Sequence, residues 1–337
     1  LMASGPYNGT GKYPAHMDAW CKAQVGFITP IDVSGNLDNA EIPEVVTSGV
    51  VYRLQNPMAS IFEYWLVENR QLTGFDRSLP GAGLCIYHVD ESVVDNSNPN
   101  HYRVALEQAD GHNDLAFTYD NDGDAGDTWP GSTDNRNFHD QSIPNSRTFF
   151  SGSSQIGVWE ISDSGPMMYA DLDVSFSRPW VRLDDIQPFL IETWQDSRRD
   201  DVIEPGDTVS ISFAATNLMR TTYNAEAVLS TGNLDVDIID ASAHLDDYFD
   251  GRVHTNFGKD SILFVMPDSI RPTIDSFSVV ITCDSLLDGS LRSYADTFSF
   301  TLTLGAPTVL IVDDDSGEDY ELAYTDVLDR MQMPYDV

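Results

Sequence analysis

Lysine is nearly missing from this 337-residue chain: Lys12, Lys22 and Lys259 are the only three. Lysine and arginine together number 18 against 54 aspartates and glutamates, giving a formal net charge of −36. So acidic a chain is excluded as a nucleic-acid binder, because gripping phosphates needs a basic surface. Attraction to an anionic membrane surface is excluded for the same reason. Cysteine is scarce as well. Cys21, Cys85 and Cys283 do not make a disulfide framework, and no C-x-x-C spacing offers a zinc site. Cys85 lies inside an apolar strand and Cys283 ends another, so buried free thiols are the first reading. In an oxidising compartment Cys21 can pair with Cys85, which leaves Cys283 odd. No apolar run reaches the roughly 18 residues that span a bilayer, so no membrane insertion is expected.

The length allows two or three domains, and a hydrophobic content of 41% is enough for a core in each. The acidity has two physical readings. A highly charged surface keeps a protein soluble in salty water, and clustered carboxylates supply the oxygen ligands of calcium sites. Three regions follow one another. Residues 1–177 mix one short helix with strands and long polar loops. Residues 178–305 read as all-β, and residues 306–337 begin an α/β unit.

The periodicity predicts a helix from Pro14 to Val25. Pro14 suits its first turn and Gly26 the position just past its end. Met17, Trp20, Cys21, Gln24 and Val25 recur at three- and four-residue spacing, and Asp18 and Lys22 form an i,i+4 pair on the other face. Strands are expected at Phe62–Glu68 and Leu84–Asp90, with a turn over Leu79–Gly83. In the middle region Val209, Ile211 and Phe213 alternate with Thr208, Ser210 and Ser212. Phe277, Val279 and Ile281, then Phe298, Phe300, Leu302 and Leu304, repeat the pattern, which predicts an immunoglobulin-like β-sandwich. Thr308–Val312, followed by Asp313, Asp314 and Asp315, reads as a buried parallel strand. An amphipathic helix from Tyr320 to Met331 follows it.

A series of short blocks in the first region resembles the immune inhibitor A family of secreted bacterial metalloproteases. In order they are Met2-Ala3-Ser4-Gly5, Pro14-Ala15-His16, Ala19-Trp20-Cys21-Lys22 and Gly26-Phe27. Then come Glu63–Gln71, Gly74-Phe75-Asp76, Leu79–Leu84, Tyr87–Glu91, Gln108–Gly111 and Gly126–Gly131. Each block is short; their order and spacing over about 130 residues carry the likeness. The resemblance implies the C-terminal part of a metzincin-like domain, with Met2 as the turn methionine that forms a floor beneath a catalytic zinc. It implies protein or peptide substrates and a secreted or cell-surface location. No H-E-x-x-H occurs in the sequence. The zinc ligands and the catalytic Glu are therefore expected upstream of Met2, and this chain alone is expected to be inactive. The β-sandwich and the Val309–Asp315 stretch resemble accessory modules of large secreted proteins. That stretch also resembles the first strand of a receiver domain, where paired acids bind magnesium. The alternative, from another class, is a non-enzymatic, calcium-stabilised adhesion or binding module.

Candidate site residues can be named on this footing. His16, close to Met2, is either a cleft wall or a locally bonded side chain. His88 and Asp90, at the polar end of an apolar strand, either line a cleft as metal-ligand or substrate contacts together with Glu91, or hold a buried histidine satisfied by a neighbouring carboxylate. Glu68 and Arg70, two apart on one strand face, read as a structural ion pair, because a buried carboxylate needs a partner. The loop Asp120–Asp127 places Asp120, Asp122, Asp124 and Asp127 at alternating positions among glycines. That pattern lets a backbone wrap a calcium ion, although it is not an EF-hand loop. The acids Asp313–Asp315 read as solvated.

Overall fold

The computed structural model describes residues 5–117, 123–191, 203, 206–266, 273–287 and 290–305, with 309–310, 324, 327–328 and 335–336 beyond them. Met2, Asp120, Asp122 and Asp313–Asp315 lie outside these residues. The chain divides into two compact units, Leu1–Ser177 and Arg178–Val337. Strands dominate both.

The first unit holds α1 (Ala19–Gln24), β1 (Ile31–Asp32), β2 (Leu37–Pro43), α2 (Val45–Ser48), β3 (Tyr52–Leu54), β4 (Glu63–Arg70), β5 (Gly83–Asp90), β6 (Val104–Leu106), α3 (Asp114–Phe117), β7 (Gly157–Trp159) and β8 (Met167–Asp173). A central sheet runs β1-β3-β4-β5-β6, and a second runs β2-β8-β7. Strands β4 and β5 pair antiparallel, with Glu63 opposite Asp90 and Trp65 opposite His88. Alternate side chains of a strand point to opposite faces, and both faces here are covered. Trp65, Val67, Leu84 and Ile86 pack against Ile42, Val158, Met168 and Leu172 of the second sheet. Tyr64, Leu66, Cys85, Tyr87 and Val89 pack against Ala19 and Val45 of the helices. Double coverage is why these two strands read as nearly continuous apolar runs. Each fully buried large side chain stabilises the fold by about 1.5–3 kcal/mol.

The loop after residue 123 is pinned to β5. Leu84 and Trp129 exchange backbone hydrogen bonds, both 2.9 Å long, and the Trp129 indole donates to the Glu107 carbonyl at 2.9 Å. The approach is so close that a Cβ at Gly83 would stand 2.1 Å from the Trp129 oxygen. Only glycine fits there.

The helix expected over Pro14–Val25 is confined to Ala19–Gln24. Asp18 is its N-cap, and its Oδ1 accepts the Cys21 N–H at 2.8 Å. The preceding stretch is held by other bonds: the His16 N–H donates to Asp76 Oδ1 at 2.8 Å, and Arg70 Nη2 donates to the His16 carbonyl at 2.9 Å. His16 therefore does not lie on a helix. The buried face is also different from the expected one, for Ala19 and Lys22 point inward while Val25 is exposed. The Asp18–Lys22 pair does not form, because Lys22 Nζ goes instead to Glu68 Oε2 at 2.9 Å. Cys21, Cys85 and Cys283 are free thiols. Burial pushes Cys21 and Cys85 up to about 12 each, Asp18 adding to the effect at Cys21.

Around Glu68 a buried polar network closes. Glu68 takes Lys22 on one oxygen and the Tyr87 hydroxyl, at 3.0 Å, on the other. Arg70 lies 3.8 Å from the same carboxylate and grips Asp76 through Nε at 3.1 Å and Nη2 at 2.8 Å. The ion pair expected between Glu68 and Arg70 is thus one edge of a larger set.

The second unit packs two antiparallel sheets. One contains β9 (Val181–Ile191), β10 (Thr208–Asn217), β12 (Asp237–Asp240), β14 (Val253–Thr255) and β15 (Ile262–Val265). The other runs β13 (Ser242–Phe249), β11 (Thr222–Thr231), β16 (Thr273–Leu287), β17 (Ser290–Leu304). Val209, Ile211 and Phe213 face inward, as do Phe277, Val279 and Ile281. Phe264 of one sheet meets Phe277 of the other with ring centroids 5.3 Å apart, and Phe277 stacks on Phe300 at 5.6 Å. Val309–Leu310 pairs in parallel with Tyr335–Asp336.

Removing Glu68 leaves Lys22 and Arg70 buried with Asp76 as their only remaining carboxylate in the network. Glu68→Ala is expected to cost about 3–5 kcal/mol in urea denaturation followed by tryptophan fluorescence. Pairing Glu68→Leu with Lys22→Leu removes the charge mismatch and should recover most of that loss. An equal loss in both variants would show that the charge balance between Glu68 and Lys22 is not what stabilises this position.

Candidate functional site

His88 and Asp90 stand at the end of β5 on the face that carries Leu84 and Ile86. There the core gives way to a cavity of about 270 Å³, which they line with His101, Glu107, Gln108 and Phe149. The His88 ring lies over Trp65 at 4.4 Å and 18°. Its Nε2 is 3.0 Å from Glu63 Oε2, and its Nδ1 is 3.5 Å from Glu107 Oε1. Burial works against the charged imidazole, but the Glu107 and Glu63 carboxylates outweigh it and hold His88 up at about 9. Burial also works against the charge of Glu63, yet His88 and the Phe149 N–H, 2.7 Å away, keep it below the usual carboxylate range. Asp90 is depressed in the same manner: burial opposes its charge, while the Ser92 N–H and His101 Nε2, each 2.8 Å away, favour it. The His101 ring stacks in turn on Phe149 at 3.3 Å.

Two histidine–carboxylate pairs therefore share this cavity. With both ring nitrogens on carboxylates, His88 has none left for a metal. Glu91 does not join them. It accepts from Trp20 Nε1 at 3.0 Å and the Tyr64 hydroxyl at 2.9 Å, and it pairs with Arg103. Glu63, His101 and Glu107 were not singled out in the sequence. Only the strand register, with Glu63 opposite Asp90, carried a signal for the first of them.

His16 lines a second, larger groove of about 500 Å³. Gly5, Pro14 and Ala15 form one side of it, and Tyr102, Leu106 and Leu115 are among its other walls. The His16 ring meets Phe75 edge-on at 5.8 Å. Tyr102, Ala105, Leu106, Gln108 and Asn113 line both cavities, so the two adjoin across β6.

Of the acidic loop, Asp124 and Asp127 are described. The Asp124 N–H donates to Asp127 Oδ2 at 2.7 Å, and the Gly126 N–H donates to Asp124 Oδ1 at 2.6 Å. Asp110 arrives from another loop. A Cβ at Gly126 would meet Asp110 Oδ2 at 2.3 Å and Asp124 Oδ1 at 3.0 Å, so both carboxylates press on this glycine. Asp127 is buried, and its Oδ1 has no hydrogen-bond partner. Burial, with Asp124, Asp114 and Asp110 nearby, pushes it up to about 6. An orphaned oxygen among carboxylates is the chemistry a calcium ion answers, so these residues fit calcium in donor type. A catalytic zinc they do not fit. Among the described residues, no group of three or more His, Cys, Asp or Glu is arranged to hold a metal ion. No described helix is long and apolar enough to cross a membrane.

No family model and no curated protein matches this chain. Among solved structures, the crystal structure of Spo0M, a sporulation control protein from Bacillus subtilis, is similar over 36% of this chain. The identity is 14% and the TM-score 0.20, and the match spans 49% of that protein's length. A likeness at this level assigns neither fold nor function.

The His88 cluster has a pH signature. The folded state binds the His88 proton more tightly than an unperturbed imidazole does. Its contribution to stability is full below about 6.5 and is lost as pH rises through about 9. The contribution is on the order of 3 kcal/mol. Denaturation midpoints measured from pH 6 to pH 10 should fall across this window, and His88→Gln should flatten the fall. An unchanged slope in the variant would place the titration elsewhere.

Proposed function

We propose that this chain is a fragment of a secreted zinc-dependent endopeptidase of the immune inhibitor A type. In this reading residues 1–177 are the C-terminal part of the catalytic domain, residues 178–305 an immunoglobulin-like sandwich and residues 306–337 the start of an α/β module. The observation that supports the reading is the convergence of the resembling blocks. Glu63–Gln71 and Tyr87–Glu91 fall within or beside the paired strands β4 and β5, and Gly126–Gly131 is pinned to β5 through Trp129. Pro14–His16 is tied to Arg70 and Asp76, and with Gly5 it forms a groove wall. A shared framework with a cleft along Gly5 and Pro14–His16 suits the wall of a peptide-binding site. The zinc ligands lie outside this chain, and what zinc supplies in such enzymes is activation of water. The partners are protein or peptide substrates. A second reading, a non-enzymatic calcium-stabilised binding module, is supported by the strand-rich build and by the orphaned Asp127 Oδ1 with Asp124, Asp114 and Asp110 nearby.

The encoding gene separates the two. The protease reading expects an H-E-x-x-H motif shortly upstream of Leu1, and its absence from that sequence would overturn the reading. The chain on its own should neither bind zinc tightly nor cleave casein. Chelator-sensitive cleavage by the purified chain would contradict this.

In the same reading the loop with Asp120, Asp122, Asp124 and Asp127 holds calcium, with Asp110 alongside. Ligand that binds only the folded state adds about 2.7 kcal/mol of stability at a hundredfold excess over Kd. Millimolar calcium should therefore raise the melting temperature of the chain. Asp124→Asn with Asp127→Asn should abolish the rise, and a full rise in that double variant would refute the site.

A further inference from the structure

The floor of the 500 Å³ groove carries an unbalanced charge. Buried beneath and beside it are three carboxylates, Asp18, Glu68 and Asp76, and two cations, Lys22 and Arg70. Lys22 is committed to Glu68, and Arg70 is committed to Asp76, Glu68 and the His16 carbonyl. Neither cation forms an ion pair with Asp18, the one carboxylate of the three left without a cationic partner in this set. One Asp18 oxygen, Oδ1, caps α1 by accepting the Cys21 N–H. The other, Oδ2, is buried with no hydrogen-bond partner. Asp18 is 7% exposed and lines the groove. Among the described lining residues it alone leaves a buried side-chain oxygen or nitrogen unpaired. An unpaired buried carboxylate is costly, and a cation seated in the groove would relieve it.

The remaining walls specify what kind of cation. Pro14, Ala15, Val104, Leu106 and Leu115 are apolar and surround the approach to Asp18. The volume falls within the about 300–1,000 Å³ usual for small-ligand sites. A compact hydrated ion gains nothing from such walls. A positive head on an apolar stem gains from both, because the stem packs while the head meets the carboxylate. Arg70, also on the lining, does not repel such a head strongly, since Asp76 and Glu68 already neutralise it. The overall charge of −36 further favours cationic ligands.

We propose that this groove binds a basic amino-acid side chain, with Asp18 as its counter-ion. The proposal concerns binding by this chain itself and stands whether or not the protein is a protease.

The test is calorimetric titration of the full chain with Nα-acetyl-arginine amide and with its neutral isostere, Nα-acetyl-citrulline amide. Arginine should bind about 10- to 100-fold more tightly than citrulline, the range expected for a hydrogen bond to a charged group. Asp18→Asn keeps the capping oxygen and so should preserve α1. It should erase the preference for arginine and leave citrulline binding unchanged. Leu115→Trp, which fills the groove without touching Asp18, should weaken both ligands. Equal binding of the two ligands to the unaltered chain would overturn the proposal. So would an arginine preference that survives in Asp18→Asn.

Discussion

The first unit depends on one buried carboxylate. Glu68 sits on a strand whose two faces are both covered, where an unpaired charge is not tolerated. Its presence obliges Lys22 to turn inward and Tyr87 to aim its hydroxyl across the strand pair. The same constraint passes through Arg70 to Asp76 and to the backbone of His16. One charge in the sheet therefore fixes where α1 sits and how the segment before it runs. The groove wall formed by Pro14, Ala15 and His16 is a consequence of that chain of bonds. The apolar core alone would hold α1 near the sheet but would not set its rotation, because burial is non-directional.

A single loop ties the candidate sites together. Glu107 reaches His88, the Gln108 side chain accepts the Asp114 N–H, and Asp110 presses against Gly126 of the acidic loop. The Ala109 carbonyl accepts from Asn135, and the Glu107 carbonyl accepts from Trp129. Four consecutive residues, Glu107–Asp110, thus connect the His88 cavity, the adjoining groove and the carboxylate cluster. A cation bound at the acidic loop would brace this segment, and bracing it would hold the shared wall of the two cavities.

Parts of this arrangement were legible in the sequence. The strands at Glu63–Arg70 and Gly83–Asp90 announced themselves through aromatic and β-branched runs. The inward set Val209, Ile211 and Phe213 followed from strict alternation, which survives because one face of that sheet is buried. The helix was misjudged for an identifiable reason. Periodicity sees apolar spacing, but the end of α1 is set by Asp18 capping Cys21, and its inner face by Glu68, 46 residues further along. Pairings at that separation leave no local trace. The carboxylate cluster was half legible: Asp124 and Asp127 stand in an evident acidic loop, whereas Asp110 joins from a different one. The i,i+4 spacing alone suggests a surface pair of Asp18 with Lys22. Only the folded geometry reveals that Lys22 is taken by Glu68 and that Asp18 Oδ2 is left without a partner.

The raised thiols carry a consequence for the life of the molecule. At about 12 for both Cys21 and Cys85, roughly one thiol in 100,000 is ionised at neutral pH, and the thiolate is the reactive form. Exchange with small disulfides, oxidation by peroxide and capture of soft metals all proceed through that form. Both thiols of the first unit are therefore poorly reactive, Cys85 as a small apolar group within the core and Cys21 at its half-buried edge. With no disulfide among Cys21, Cys85 and Cys283, packing and the buried ion pairs, not cross-links, hold the described strands together.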